Sequence, residues 1–565
     1  MEVRFQMSGQ VVERVEFRCN GVEVSVDTEP GESLLSVLRE RLGVTSVKDG
    51  CAPQGQCGCC TVLVDGSPRV ACVTAASRVA GRAVTTVEGL EAGMRDRLTA
   101  AFVATGGSQC GFCTPGILVR ASALLGGDVP ARGDVDRALA AHLCRCTGWN
   151  TVREAIELAG APGPPVGVAV ARDRHAAARR AELEGGVAQH VGLEVPLGHG
   201  GFADDEAPHD ALVAVPAPPG AAAVTVEAGG LQWVVGDSLA EARRLAGKVP
   251  GRRSTIEVVA PLPLPPRPSG GVRLATSWVE PAYLEPDASW CEPGGTPATP
   301  LANGGAFGGK LDSPAPRAAR ELADRLGRTV RVVFSREDCV RLGPKRPPFA
   351  GSAVWRDGRV DLVEEYLMPE VGAGSLRASA AHRAFPLAER TVLHEGALAE
   401  AGVDRRVVAR DRELAVLLDT VAAVPDGDAV AGARVHLDAD TGAVERVEVR
   451  VGAGDPLDDV VLRSYCIGAT HMALGWVLTE GLAVDPARGA VLDLTIRSFG
   501  VIRAKDTPPI DVTIVDDAGP PRARASDAVF AAVAAATWNA VAAAEGRRPE
   551  TFPATATRAS RRLRR

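Results

Sequence analysis

The alternation of apolar and polar positions is sharpest near the start of the chain. Residues 15–27 (VEFRCNGVEVSVD) alternate around Asn20-Gly21, and a two-residue Asn-Gly link between alternating runs predicts a β-hairpin. The period then changes. Leu34, Leu35, Val37, Leu38 and Leu42 recur at helical spacing from about Glu32 to a stop at Gly43, which predicts a helix. Thr61-Val-Leu-Val64 followed by Asp65-Gly66 opens a second hairpin that returns toward Cys72. Residues 1–90 therefore read as one small α+β domain.

Residues 91–160 read as helical. Pro115 suits a first helical turn, and the pattern Ile117, Leu118, Ala121, Leu124 runs to Gly126-Gly127. Asp134 is placed to cap a second helix through Val135, Leu139 and Leu143, and a third spans about Val152–Leu158. Ala161-Pro-Gly-Pro-Pro165 is a stiff linker within residues 161–168, and Pro261–Pro268 marks a second boundary. These divide the remainder into residues 169–260, residues 269–550 and a basic tail, 551–565. With five Arg among Arg558–Arg565, the tail is expected to be solvated and disordered.

Composition narrows the partners. The chain has 565 residues, 24 % charged and 46 % hydrophobic, and a net charge of −7. That balance argues against nucleic acid and anionic membrane. No apolar run is expected to reach the ~18 residues of a membrane span, and no N-terminal signal is evident. The expected location is the cytoplasm, where thiols stay reduced and clustered Cys reads as metal ligation. Ten of the 13 cysteines precede residue 150; Cys291, Cys339 and Cys466 are isolated and expected to be plain buried residues.

Nine of the ten, all but Cys19, fall into a pattern. Cys51, Cys57, Cys59 and Cys60 share one loop, with Cys72 beyond it; Cys110-Gly-Phe-Cys113 and Cys144-Arg-Cys146 form a second group. A [2Fe–2S] cluster needs four thiolates on a sharply bent backbone, and Gly55 and Gly58 permit the bend. Zinc sites pair two short Cys turns across a modest gap, unlike the single distant Cys72. Ferredoxin spacing is Cys-x4-Cys-x2-Cys; here the first gap is x5. Cys51, Cys57, Cys60 and Cys72 keep the x2 turn, with Cys59 as the competing thiol.

The strings Gln109-Cys-Gly-Phe-Cys-Thr-Pro-Gly116, Cys144-Arg-Cys-Thr-Gly-Trp149 and Gly50-Cys51 through Val62 resemble the iron–sulfur unit of the xanthine dehydrogenase / aldehyde oxidase family of molybdenum hydroxylases. The resemblance implies a β-grasp 2Fe-2S ferredoxin-like domain, then a four-helix-bundle 2Fe-2S domain. It places the Cys110, Cys113, Cys144 and Cys146 cluster beside molybdopterin, with Gln109 hydrogen-bonded to the pterin, and the other cluster outward.

Later segments resemble the family's molybdenum subunit in order: Gly201-Phe-Ala-Asp-Asp205, Glu280-Pro-Ala-Tyr-Leu-Glu285-Pro, Arg336-Glu-Asp, Lys345-Arg-Pro and Ile467–Trp476 through Ile510. Between them Asn303-Gly-Gly-Ala-Phe-Gly-Gly-Lys310 resembles its cofactor loop, which makes Gly304, Gly305, Phe307, Gly308 and Gly309 candidate contacts. A shortened hammerhead-like segment (169–260) and a shortened mixed α/β molybdopterin-binding-like region (269–550) follow. There are departures. Arg377 survives in Leu376–Ala380 without the family's glycines, and the family's Gly-Gln-Gly loop has no counterpart around Pro425–Asp428. The family's base Glu is absent, with Asp527 the nearest acid; Asp527 serves as base or merely caps the helix Ala531–Ala544.

The resemblance implies hydroxylation of an aldehyde or N-heterocycle with oxygen from water, electrons leaving through two 2Fe-2S clusters. The implied cofactors are those clusters and molybdopterin, the cytosine dinucleotide form included. A separate FAD-containing subunit or other acceptor is expected, and a homodimer is compatible with it. The competing reading is an electron-transfer or assembly protein with an inactive molybdenum lobe.

Overall fold

In the computed structural model of the chain, the described residues are 13–126, 130–162, 172–247, 251, 258–346, 348–356, 359–367, 429–485, 490–516 and 518–564. The predicted hairpin forms: β1 (Glu13–Cys19) pairs antiparallel with β2 (Val22–Thr28). Asn20 and Gly21 both have positive φ, at 52° and 85°, as a turn matched to strand twist requires. With β3 (Thr61–Val64), β4 (Ser67–Val70) and β5 (Ala83–Thr85) they make one sheet, order β2-β1-β5-β3-β4. Its apolar face, including Val15, Phe17, Val62 and Val84, packs on Leu34, Leu35, Val37 and Leu38. Those leucines lie on an α-helical turn (Leu34–Ser36) that continues as a π-helical one (Val37–Arg41).

Four helices follow: Ala92–Thr105, Thr114–Leu125, Arg132–Ala138 and Asn150–Gly160. The first has little apolar contrast around its circumference, which hid it from a periodicity reading. Asp134 does not cap the third. It sits within its first turn, accepting from the Ala131 N–H at 3.3 Å.

Next come β6 (Leu212–Pro216), β7 (Val226–Ala228), β8 (Leu231–Gly236), β9 (Val272–Thr276), β10 (Ala288–Cys291) and β11 (Val330–Val333). One sheet has the order β10-β11-β6-β8-β7, with β11 parallel to β6. The Pro-rich stretch 261–268 therefore lies between strands of a shared sheet and does not separate two folding units. Proline composition marks an irregular crossover, not sheet membership. β12 (Phe349–Arg356) and β13 (Arg359–Leu367) extend β9; β14 (Val430–Leu437), β15 (Val444–Gly452) and β16 (Ile510–Ile514) form a further sheet. Two long helices, Asp459–Leu478 and Ala525–Glu545, pack against one another and this sheet.

Two expectations are corrected here. Ala525–Glu545 is long and apolar enough to cross a membrane, yet 72 % of its apolar window is buried inside the protein; alanine-rich core helices pass the same test. The tail is ordered: β17 (Thr551–Phe552) joins β9, and Arg558–Leu563 is a helix with Ala559 and Ser560 buried. Phe552 anchors it, its ring 5.1 Å from Trp476 and 5.9 Å from Trp538.

A buried ionic seam joins the first domain to the middle sheet. Arg39 donates to Asp204 and Asp205 at 2.8 Å each, Lys48 pairs with Asp205, and Arg331 reaches both Glu40 and Asp204 at 2.8 Å. Asp204 and Asp205 belong to the Gly201–Asp205 string, whose role here is docking. Burial alone would raise the Asp204 carboxyl, but Arg331 and Arg39 outweigh it and hold it well below the usual carboxylate range. A group with its folded pKa depressed stabilises above its unfolded pKa, ~3.9 for Asp, and loses that contribution as pH falls. The denaturant midpoint is therefore expected to drop from about pH 5 toward 3. Asp204→Asn should flatten that acid limb and cost ~3–5 kcal/mol near neutrality. An acid limb as steep as in the wild type would remove Asp204 from this role.

Candidate iron–sulfur and cofactor site

The two cysteine groups behave as two sets of thiols. In the first, Cys51 interacts with Cys57 and Cys72, and Cys72 with Cys60. The Gln56 and Cys57 N–H groups donate to Cys51 Sγ at 3.3 Å each, and the Cys72 N–H to Cys60 Sγ at 3.4 Å. Such donors stabilise thiolate sulfur and raise a cluster's potential. Cys59 is fully buried and touches this set only beside Cys57. The hydrogen bond to Cys57 lowers its thiol, but burial and neighbouring thiolates outweigh that and leave it above the ordinary range. Geometry thus favours Cys57 over Cys59 as the fourth ligand.

In the second set Cys146 Sγ lies 3.6 Å from Cys110 Sγ, and Cys113 interacts with Cys144. Cys144 is lowered to about 6, first by the hydrogen bond from Cys113 and then, against burial, by Thr147, which favours the thiolate that a metal binds. Four thiols brought together in each set suit a two-iron cluster, which takes four thiolates.

Cys146 of the second set lies on one wall of a cavity of about 300 Å³. Gln109, Arg145 and Cys146 reach it from the helical domain; Gly304, Gly305, Phe307 and Gly308 from the glycine loop; Asp527 from the helix Ala525–Glu545. These sequence candidates meet in one place. Gly309 does not line the cavity: a Cβ there would lie 2.6 Å from Tyr283 and 2.7 Å from Pro281, so it packs against the loop's support. Arg377 lies outside the described residues.

The loop's glycines allow contact with the cluster thiols. Gly305 has φ +79°, and a Cβ on it would stand 2.8 Å from Cys110 Cβ and 3.3 Å from Cys146 Sγ. Gly468 is tighter still, its built Cβ 1.9 Å from the Cys146 carbonyl. One helical turn earlier, Ser464 Oγ accepts from Gln109 Nε2 at 2.8 Å; the same nitrogen donates to the Cys146 carbonyl at 3.0 Å. Both amide protons are thus engaged, leaving the Gln109 side-chain carbonyl as the group free to accept.

Behind the loop, the other sequence strings form its support. Lys310 pairs with Glu285 at 2.8 Å, Arg336 pairs with Glu280, and Tyr283 donates to Asp287 at 2.6 Å. Burial raises the Glu285 carboxyl to about 7 despite Lys310.

Three acids on the cavity wall each have an arginine partner: Glu280 (with Arg336) opens a string already singled out, whereas Glu184 (with Arg180) and Glu480 (with Arg145) were not foreseen. Glu184 also accepts from the Ala525 and Ser526 N–H groups at 3.2 and 2.7 Å. It therefore caps the helix Ala525–Glu545, and Asp527 sits inside the first turn, not at the cap position. A cap 341 residues away in sequence leaves no local signal. The one available hint was an arginine set between two cluster cysteines.

Comparison with known proteins agrees with this geometry. Residues 17–83 match the family model of the 2Fe-2S iron-sulfur cluster binding domain, and residues 86–157 that of the [2Fe-2S] binding domain. The small FeS subunit of nicotinate dehydrogenase from Eubacterium barkeri is 39 % identical over 147 residues, 26 % of this chain and 93 % of that protein. The xanthine dehydrogenase iron-sulfur-binding subunit of Escherichia coli O157:H7 is 38 % identical over 142 residues, 24 % of this chain and 88 % of that one. The chain has the fold of an iron–sulfur oxidoreductase with two 2Fe-2S domains. It belongs to the xanthine dehydrogenase / aldehyde oxidase family of molybdenum hydroxylases. The crystal structure of the aldehyde oxidoreductase from Desulfovibrio desulfuricans superposes with a TM-score of 0.65 at 16 % identity, covering 96 % of this chain and 99 % of that one; the likeness extends the shared fold past the iron–sulfur unit.

Removing single thiols separates the ligands. Cys57→Ala should lose about half the iron and the outer cluster's EPR signal, whereas Cys59→Ala should keep both clusters. The reverse outcome would make Cys59 the ligand.

Proposed function

We propose that the chain is the fused iron–sulfur and catalytic part of a molybdenum hydroxylase, which oxidises an aldehyde or N-heterocycle with oxygen from water. The observation that carries this reading is the shared wall: Cys146 and Gln109 face the same cavity as the glycine loop and Asp527. The wall fits the ring end of a pterin. Positive φ at Gly304, Gly305, Phe307 and Gly308 turns the loop's backbone so that a flat group can approach it. Gln109 offers a carbonyl to a ring N–H. Arg145, the cation among the described residues of this wall, is paired with Glu480. When bound, the cofactor would supply a metal that takes an electron pair from substrate and releases electrons singly.

The chain's own residues then divide the work. Glu184, Glu280 and Glu480 are each paired with an arginine, Arg180, Arg336 and Arg145 in turn. Asp527, 7 % exposed on the cavity wall, is the residue we assign as base. Arg180 bonds the Arg522 carbonyl at 2.7 Å, and the Arg524 N–H donates to the Leu183 carbonyl at 3.2 Å. Together with the Glu184 cap, these contacts hold the turn carrying Asp527 and fix where its carboxylate can reach. Cys110, Cys113, Cys144 and Cys146 would hold the inner cluster and Cys51, Cys57, Cys60 and Cys72 the outer one, and these clusters would pass electrons outward singly. Relatives named as small subunits support a separate subunit as acceptor, which we take to be a flavoprotein.

Purified protein from a host that makes the cofactor should carry about four iron atoms and about one molybdenum per chain. Four iron atoms without molybdenum would favour the electron-transfer or assembly reading. In active protein Asp527→Ala should lower turnover by about 10²–10⁴-fold with metal content unchanged; unchanged turnover would leave Asp527 a structural residue of the first turn.

A further inference from the structure

Arg145 stands between two cluster ligands and spends all its reach on the cavity wall. Its Nη1 and Nη2 meet the two oxygens of Glu480 at 2.5 and 2.9 Å, and its Nε donates to the Pro281 carbonyl at 3.0 Å. Both side chains are buried, 6 % and 3 % exposed. Neither the cluster's chemistry nor the base assignment uses this pair. Glu480 ends the segment after the helix Asp459–Leu478, and its carboxylate occupies the space beside Gly475, where a Cβ would be 2.2 Å from Glu480 Oε1. A residue at 475 with any side chain would displace it. The pair is built into the fold.

We infer that Glu480 is a positioning residue for electron transfer: it fixes and balances the Arg145 charge beside the inner cluster, and so sets that cluster's reduction potential. The physical basis is electrostatic. Reducing a cluster adds one negative charge, which a nearby buried cation favours and a nearby buried anion opposes. Neutralising one partner of the pair must therefore shift the potential in the direction of the charge left behind. Low local dielectric makes such shifts large compared with those from surface charges. The inference rests on the cluster assignment within the proposed function and not on molybdenum, since the clusters can be reduced chemically.

The test is an EPR redox titration of the intact iron-loaded chain, with the outer cluster as internal control. Glu480→Gln leaves Arg145 in excess and should raise the inner cluster's potential, increasing its reduced-to-oxidised ratio at fixed potential ~10-fold, equivalent to ~59 mV for one electron. Arg145→Gln should lower it comparably, and the doubly neutral variant should return near the wild type. The outer cluster should move by less than a third as much. Should Arg145→Gln fail to take up iron, Glu480→Gln and Glu480→Asp suffice: Gln shifts the potential, while Asp keeps the charge and stays near the wild type. No shift in Glu480→Gln, equal shifts for Gln and Asp, or equal shifts of both clusters would overturn the inference. Loss of molybdenum with these shifts intact would count against the proposed function alone.

Discussion

The backbone of the inner cluster loop lies directly on the backbone of two cavity segments, and the assembly depends on the absence of side chains there. Gly305 meets the thiols of Cys110 and Cys146, and Gly468 meets the Cys146 carbonyl. This contact explains why the helix Asp459–Leu478 carries small and polar residues along one edge. Ser464 and Gly468 face the cluster loop, and Met472 and Trp476 continue the same i, i+4 edge into the cavity. One helix thus measures the distance between the thiols and the cavity floor. Any residue larger than glycine at 468 would move the loop, and with it Gln109.

Charge is handled consistently around this contact. The cavity wall contains three glutamates, yet each meets an arginine, Glu184 from one turn earlier on its own helix and Glu280 and Glu480 from distant segments, so its net charge stays low. The same logic recurs at the seam between the first domain and the middle sheet, where Arg39, Lys48 and Arg331 meet Glu40, Asp204 and Asp205. Buried pairs of this kind contribute little net stability compared with apolar packing, but breaking one partner is costly. Their value lies in register.

What the chain revealed in advance follows from how far apart the partners lie. Cluster ligands are close in sequence or set on short turns, so the spacing of Cys51 to Cys72 and Cys110 to Cys146 announced both sets. Hairpins and amphipathic helices are likewise local, and the first 160 residues were legible for that reason. The glycine loop was recognisable as a string, but which of its glycines face the cavity depended on Tyr283 and Pro281 behind Gly309. The capping role of Glu184 and the pairing of Glu480 left no local signal, because the Ala525 N–H and Arg145 that they meet are 341 and 335 residues away. The alanine-rich helix Ala525–Glu545 went the other way: no run of span length was expected, yet this helix is long and apolar enough to span, and its surroundings make it core.

If the cavity and the inner cluster form one unit, a cofactor held at the wall that Cys146 lines would be coupled to that cluster. The most direct test is the EPR signal of molybdenum in the loaded, partly reduced protein. Magnetic coupling to a reduced cluster beside it should split that signal, and Cys113→Ser, which removes the inner cluster while leaving the outer set of thiols intact, should abolish the splitting. A molybdenum signal that is never split, or a splitting that survives loss of the inner cluster, would contradict the account.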